Sequence, residues 1–224
     1  LMENQFDPEN SMIRYETVEV VEYIDSQFLI TTSTGKYKST TIVIASGTDS
    51  KAFSVPGLEM ITRQNILTEI YTIANCENRR IAIIGAGDAA FDYALNLARE
   101  NKVTINNRSN RRLCLSLLWA RAISKVNINY RENCTLLSVK PKNDLIELNW
   151  SQDGVDLTDS VDYLILAVGR KPNLSFLGEK LSSKICDLEE KGLLHFIGDV
   201  KNGNFRQASI AAGQGIHAAM ALHQ

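Results

Sequence analysis

Short apolar runs, several of them ending at a glycine, are the clearest pattern along this chain of 224 residues. In the best example, residues 81–84, every position is apolar, as in a parallel strand that is covered on both faces. Glycines follow at once, and Ala90, Ala94 and Leu97 then recur with helical spacing. The pattern predicts a strand, a tight turn and a helix, the order that builds a parallel sheet.

The turn after this strand reads GAGDAA (85–90), a G-x-G-x-x-A sequence. Gly85 permits the tight turn, Gly87 lets the backbone approach a pyrophosphate, and Ala90 is the small residue where helix and strand pack closely. The free N–H groups and the dipole at the start of the helix favour a phosphate. We interpret the turn, with Asp88 and Ala89, as a dinucleotide site; a packing turn without a ligand is the alternative.

The segment after the next predicted strand, residues 102–106, indicates which dinucleotide is bound. NAD sites usually carry an acidic residue about 20 residues after the glycines, whereas NADP sites use arginine to bind the 2′-phosphate. Residues 101–131 contain no aspartate or glutamate, and Arg108, Arg111 and Arg112 directly follow the strand. Their forked guanidinium groups suit a phosphate monoester. We therefore expect NADPH in preference to NADH, and a solvated basic loop is the alternative.

Residues 13–47 and 128–169 resemble each other, which indicates an internal repeat. Both begin with Ile-x-Tyr, continue as a predicted β-meander with a glycine turn, and end in three aliphatic residues followed by Ala-x-Gly. A complete βαβ unit precedes the second copy, whereas the first copy has only twelve residues ahead of it, and such a unit needs roughly 30. We expect residues 1–6 to end a helix inside a first dinucleotide domain whose opening βαβ unit is missing. Two unrelated meanders are the alternative.

The C-terminal part predicts a second ligand-binding segment. Residues 192–199 (GLLHFIGD) indicate a buried strand that ends in Gly198 and Asp199, at the edge where open α/β sheets bind ligands. An alanine-rich helix is expected from Arg206 and Gln207 onward. It contains Gly213 and Gly215, which cost about 1 kcal/mol each relative to alanine, so we expect a close approach to another backbone or to a ring.

Composition sets the protein class. The chain is 44% hydrophobic and 22% charged with a formal net charge of -2, as in a globular protein of one or two domains without a nucleic-acid partner. It has no apolar run long enough for a membrane span and no basic, apolar leader, so we place it in the cytoplasm. Neither its histidines nor its cysteines have metal-like spacing, and we expect reduced, part-buried thiols. We expect Trp119 in a core helix and Trp150 at a hairpin edge.

In this order the segments resemble the pyridine nucleotide-disulfide oxidoreductases, and most of all their low-molecular-weight thioredoxin reductase branch. TTIVIASGT resembles the crossover out of the FAD domain, GAGDAAFDYALNL the NADPH loop, LILAVGRKPN the crossover back, and FIGDVKNGNFRQASIAAGQGIHAAMAL the terminal FAD segment. The resemblance implies an α/β fold of two Rossmann-like, three-layer dinucleotide-binding domains. An NAD(P)H domain at 53–168 would be inserted between FAD-domain segments at 1–52 and 169–224.

The resemblance also implies which residues meet the cofactors. Asp199 would hydrogen-bond the ribityl chain of the flavin, and the N–H groups that open the last helix would face its pyrimidine edge. The cofactor-binding residues implied in these segments are Ala45, Ser46, Gly47, Gly169, Gly198, Asp199, Arg206, Gln207 and Ala208. Because hydride passes directly between the two cofactors, no catalytic side chain is assigned.

One departure from that branch bears on function. Its members carry a Cys-x-x-Cys pair shortly before the NADPH loop, but residues 66–80 contain Cys76 alone. We therefore expect a FAD-dependent NADPH oxidoreductase without the redox dithiol, whose acceptor is unidentified. The alternatives are a ferredoxin–NADP reductase-like enzyme and a non-catalytic nucleotide-sensing module. A redox partner protein and a homodimer are expected as partners.

Overall fold

The computed structural model describes residues 12–223, so the helix expected at residues 1–6 lies outside the described part. The chain divides into two compact units. The first unit combines Leu1–Asp49 with Lys171–Gln224, and the second unit is Ser50–Arg170. The boundaries expected from sequence were after residues 52 and 168. No helix among the described residues is both long enough and apolar enough to cross a membrane.

The strands and helices follow one another along the chain as strands β1–β15 and helices α1–α5. The strands are β1 Val18–Ile24, β2 Gln27–Thr32, β3 Lys36–Ser39, β4 Ile42–Ile44, β5 Thr48–Ser50, β6 Ile66–Leu67, β7 Arg80–Ile84, β8 Lys102–Asn106, β9 Ile128–Arg131, β10 Cys134–Lys142, β11 Leu145–Gln152, β12 Val155–Val161, β13 Tyr163–Leu166, β14 Arg170–Pro172 and β15 Leu194–Phe196. The helices are α1 Asp88–Leu97, α2 Ser116–Ile123, α3 Glu179–Ser182, α4 Ile185–Glu190 and α5 Ala208–Leu222.

The second unit is built on a five-stranded parallel sheet in the order β6-β13-β7-β8-β9. Alternate residues of β7 serve opposite faces: Ile81 and Ile83 pack with α1 and α2, whereas Ala82 packs with the antiparallel sheet β10-β11-β12. Both faces of the parallel sheet are therefore covered, which explains why its strands are continuously apolar. The predicted strand, turn, helix and second strand at residues 81–106 are all present.

The position expected for Trp150 is wrong. Trp150 lies in β11, the central strand of the antiparallel sheet, and its side chain is 0% exposed. Ile146 and Leu148 share its face of the strand and are also buried, because side chains two residues apart point to the same side. The hairpin pattern was visible in the sequence, but which face of the hairpin is covered depends on β7 and β13.

In the first unit an antiparallel sheet, β1-β2-β3, accompanies a parallel pair, β4 with β15. Phe28 of β2, Ile44 of β4 and Phe196 of β15 belong to one core cluster, which α3 and α4 complete with Leu181 and Leu188. Among the described strands, β15 pairs with β4 alone.

The two copies of the proposed repeat differ at their start. Residues 128–131 form β9, as expected, whereas residues 13–15 form no strand and β1 begins only at Val18. The difference has a physical reason: β9 pairs with β8, and the described part of the first unit offers no parallel strand to residues 13–15.

Candidate functional site

The glycine turn lies at the carboxyl end of β7, between neighbouring strands of the parallel sheet. Gly85 has a φ of +129°, and a Cβ atom on it would lie 2.2 Å from the carbonyl oxygen of Ala167. Ala167 lies in the loop after β13. This loop is held close to the end of β7 because the Ala167 N–H donates to the Ile84 carbonyl at 2.9 Å. Only glycine fits between the two strand ends.

Gly87 meets a different environment two residues later. It is the N-cap of α1, with φ of -90° and ψ of 178°, and a Cβ atom on it would have no neighbour within 4 Å. No side chain caps this helix end. Asp88 and Ala89 are exposed, whereas Ala90 is buried against the sheet. The turn therefore offers open space beside uncapped N–H groups at a helix N-terminus, which is what a phosphate requires.

The loop after β8 is fastened beside this turn. The Leu113 N–H donates to the Ala86 carbonyl at 3.0 Å, and Leu113 forms an isolated parallel bridge with Gly87. The Leu115 N–H donates to Oδ1 of Asp88 at 2.7 Å. Asp88 thus anchors the loop, a role that the sequence did not predict. We call residues 107–115 the arginine loop.

The three arginines of the sequence prediction lie in this arginine loop. Arg108, Arg111 and Arg112 are exposed, and none of them pairs with a carboxylate within residues 12–223. Arg131 lies at the end of the same stretch without acidic residues, 101–131, but it is paired with Asp159. Three unpaired guanidinium groups close to an open helix N-terminus make this region attractive to a phosphorylated ligand.

A partly exposed ion-pair cluster joins three distant segments of the second unit. Arg170, which follows the loop after β13, pairs with Glu69, and the Tyr93 hydroxyl on α1 donates to Glu69 at 2.6 Å. Burial, together with the Glu69 carboxylate, raises the pKa of Tyr93 well above its usual value, so Tyr93 remains a donor. Gly169, with φ of +97°, accepts from the Lys51 N–H at 3.0 Å. Because Arg170 directly follows Gly169, the cluster fixes the segment that leads from Gly169 into β14.

The segment after β4 is organised by hydrogen bonds within the first unit. The Ser46 hydroxyl donates to the Asn173 carbonyl at 2.6 Å, and the Gly47 carbonyl accepts from the Asn173 N–H at 3.1 Å. Gly47 has a φ of +67°, and a Cβ atom on it would meet nothing within 4 Å. Ala45 is exposed. This strand end is open to a ligand in the described structure.

The terminal segment carries an unsatisfied donor. The Nε of Arg206 is buried and has no hydrogen-bond partner among the described residues. Asp199 is half-buried in a 3-10 turn after β15, and the Gly198 N–H donates to Oε1 of Gln214 at 2.7 Å. A buried donor of this kind needs an acceptor, and the carbonyl-rich edge of a flavin supplies such acceptors. The flavin end of FAD therefore fits the residues that are present.

Two expectations for the last helix need correction. The helix begins at Ala208, with Gln207 as its N-cap, so Arg206 precedes it. A Cβ atom on Gly213 or Gly215 would meet nothing within 4 Å, so the described residues make no close approach to another backbone there, and the approach to a ring stays a prediction. Local pattern predicts a helix well, but a helical glycine does not reveal what lies opposite it.

The four thiols lie in different environments. All four cysteines are free in the described structure. The Cys76 thiol donates to Oδ1 of Asn101 at 3.7 Å, and burial raises its pKa. Burial also raises the pKa of Cys114 and Cys134, whereas Cys186 is exposed. These features are typical of structural thiols and not of an attacking thiolate.

Titration with a disulfide reagent should therefore count one fast thiol at neutral pH. Cys186 supplies it, because the other three thiols are at least partly buried with raised pKa values. Their reaction should accelerate only as the pH rises beyond the ordinary cysteine value of about 8.5. Cys186→Ser is the control and should remove the fast phase. Two additional fast thiols after NADPH treatment would reveal a redox disulfide and refute this assignment.

A family comparison agrees with this arrangement. Residues 9–196 match the family described as pyridine nucleotide-disulphide oxidoreductase. The thioredoxin reductase of Treponema pallidum is 27% identical over 226 residues, covering 94% of this chain and 72% of that protein. The thioredoxin reductase of Bacillus subtilis is 25% identical over 223 residues, covering 93% and 71%.

Solved structures give the same fold. The thioredoxin reductase of Lactococcus lactis superposes with a TM-score of 0.79 at 23% identity, covering 94% of this chain and 74% of that one. The thioredoxin reductase of T. acidophilum gives a TM-score of 0.77 at 22% identity, covering 93% and 73%. The α/β fold of two Rossmann-like domains is thereby confirmed.

Proposed function

The chain belongs to the pyridine nucleotide-disulphide oxidoreductase family, and from that premise we propose that it passes hydride from NADPH to FAD and then electrons to an acceptor other than an in-chain dithiol. Its homologues are thioredoxin reductases, so an NAD(P)H-dependent flavin enzyme is the reaction class. The observation that carries the proposal is the open space over Gly87 at an uncapped helix N-terminus, with unpaired arginines beside it.

NADPH would be held by the second unit. The first turn of α1 would receive the pyrophosphate on the N–H groups of Asp88 and Ala89. The buried Ala90, whose N–H donates to the Gly87 carbonyl at 3.0 Å, would let the helix pack closely on the sheet. The arginine loop, bridged to Gly87 through Leu113, would receive the 2′-phosphate. Gly169 lies in the loop after β13. The same loop contacts Gly85 through Ala167.

FAD would be held by the first unit. Arg206 would donate its unsatisfied Nε–H to the flavin, while Gln207 and Ala208 place the open end of α5 near its pyrimidine edge. The ribityl chain would lie at the ends of two paired strands. These ends are formed by Gly198 and Asp199 after β15, and by Ala45, Ser46 and Gly47 after β4. When bound, the flavin supplies the hydride acceptor and the protein supplies orientation and electrostatics.

The proposed electron acceptor is not a dithiol of this chain. Cys76 is the only cysteine before the glycine turn, and its thiol is hydrogen-bonded and part-buried. A dithiol relay within this chain is therefore not part of the proposed reaction. The same observation favours the second candidate, a ferredoxin–NADP reductase-like enzyme that delivers electrons directly to a carrier protein. A redox partner protein and a homodimer remain part of the proposal.

Anaerobic titration with NADPH tests the proposed function. The purified protein, supplied with FAD, should show visible flavin absorbance that bleaches with one equivalent of NADPH. The number of reactive thiols should stay constant during the titration, because no disulfide consumes the electrons. A protein that binds NADPH but no flavin would instead support a nucleotide-sensing module, and a protein that binds neither would contradict both candidates.

A further inference from the structure

One side chain of the arginine loop is held in place by an aromatic ring. The Cζ atom of Arg112 lies 4.1 Å from the ring centroid of Trp119, well inside the distance at which a guanidinium is attracted to an indole face. Neither Arg108 nor Arg111 has a ring contact in the described structure. Arg112 also directly precedes Leu113, the residue bridged to Gly87. Of the three arginines, it is the one whose backbone is fixed closest to the glycine turn.

The Trp119 ring is itself fixed by the core of the second unit. It meets Tyr130 edge to face, with ring centroids 4.9 Å apart and an interplanar angle of 81°. It also meets Phe91 of α1 at 5.7 Å and 71°. The Tyr130 hydroxyl accepts from Nδ2 of Asn107, which also donates to the Arg111 carbonyl at 3.0 Å. The ring that holds Arg112 is thus tied to both α1 and the arginine loop.

We propose that Trp119 is a positioning residue for cofactor choice: it holds the Arg112 guanidinium ready for the 2′-phosphate of NADP. This proposal rests on the proposed function, because it presupposes a nucleotide at Gly85–Gly87. A free arginine loses side-chain entropy when it binds a phosphate, whereas one already held on a ring has less to lose. Contact with the ring face occupies none of the guanidinium N–H donors, which stay available to oxygen. Arg112 pairs with no carboxylate among the described residues that would compete.

Calorimetric binding of NADP⁺ and NAD⁺ to the purified chain tests the proposal without flavin reduction. Trp119→Leu should weaken NADP⁺ binding about tenfold and change NAD⁺ binding less than twofold. Trp119→Phe, which keeps a ring under Arg112, should recover most of the loss. Arg112→Ala should lose at least as much as Trp119→Leu, and the double variant should lose no more than Arg112→Ala alone, because both changes remove one coupled contact.

Leu117→Ala is the matched control, since Leu117 lies on the same helix and is 60% exposed. It should leave both affinities unchanged. Equal losses of NADP⁺ and NAD⁺ in Trp119→Leu would show a purely structural role and overturn the proposal, as would additive losses in the double variant. A wild-type protein that binds neither nucleotide would instead refute the proposed function. The Trp119→Phe variant keeps the test valid if Trp119→Leu does not fold.

Discussion

Replacing Gly85 by alanine is expected to destabilise the second unit by about 3 kcal/mol, since both a backbone conformation and a contact become unfavourable. The φ of +129° is strained for any residue with a side chain, and the new Cβ atom would lie 2.2 Å from the Ala167 carbonyl oxygen. That oxygen belongs to the backbone, so it moves only if β7 and β13 separate. Urea unfolding followed by tryptophan fluorescence measures the change, because both tryptophans, Trp119 and Trp150, lie in the second unit.

Gly87→Ala is the matched substitution two residues away, and it should separate binding from stability. A Cβ atom on Gly87 meets nothing within 4 Å, and φ of -90° suits alanine, so the urea midpoint should not fall. The same methyl group would fill the space that a pyrophosphate needs, and NADP⁺ affinity should fall at least tenfold. A Gly87→Ala protein that binds NADP⁺ normally would place the nucleotide elsewhere. A Gly85→Ala protein of wild-type stability would show that the Ala167 loop yields easily.

These two glycines illustrate what the sequence could predict. The order of apolar strand, glycines and alanine-rich helix depends on neighbours within about four residues, so β7, α1 and β8 were predicted from pattern alone. The sequence predicted only one of the two reasons why residue 85 must be glycine. The tight turn was predicted, but the carbonyl that excludes a side chain comes from Ala167, in the loop after β13, which follows much later in the chain.

The parts that the sequence did not reveal depend on long-range contacts. Glu69, Tyr93 and Arg170 form one cluster but are scattered over three segments. Tyr93 and Arg170 lie in segments that the family resemblance identified, yet nothing in those segments indicated that both side chains meet Glu69. Trp119 was correctly expected on a core helix, yet its contact with Arg112 depends on how the arginine loop folds back. Burial of Trp150 likewise depends on which sheet covers β11.

The first unit was predicted less completely for a related reason. Helix α5 carries no Asp, Glu, Lys or Arg, yet Ala218 is its only buried residue in the described structure. A helix with so few polar residues is normally buried, so the exposure of α5 could not be predicted from its own pattern.

Replacing Arg108, Arg111 and Arg112 together by alanine should lower NADPH affinity about a hundredfold and NADH affinity less than threefold. The 2′-phosphate is the only group that distinguishes the two nucleotides, and each charge-assisted hydrogen bond to it contributes roughly 1.5–3 kcal/mol. The three side chains are exposed, so the lower end of that range applies and the hundredfold loss, about 2.7 kcal/mol, is less than the sum of three bonds. Competition between NADPH and NADH during flavin reduction gives the ratio directly.

The control replaces Arg121 and Lys125 by alanine. Both are exposed and lie in the same stretch without acidic residues, 101–131, but outside the arginine loop. This control changes the net charge by nearly as much, so a general electrostatic effect would weaken NADPH in both variants, and only a local effect would single out the triple variant. Equal losses of NADPH and NADH affinity in the triple variant would show that the arginine loop contacts the pyrophosphate or contributes to folding, and that it does not bind the 2′-phosphate. An unchanged NADPH affinity would mean that the 2′-phosphate lies away from this loop, and cofactor choice would then have to come from another part of the second unit.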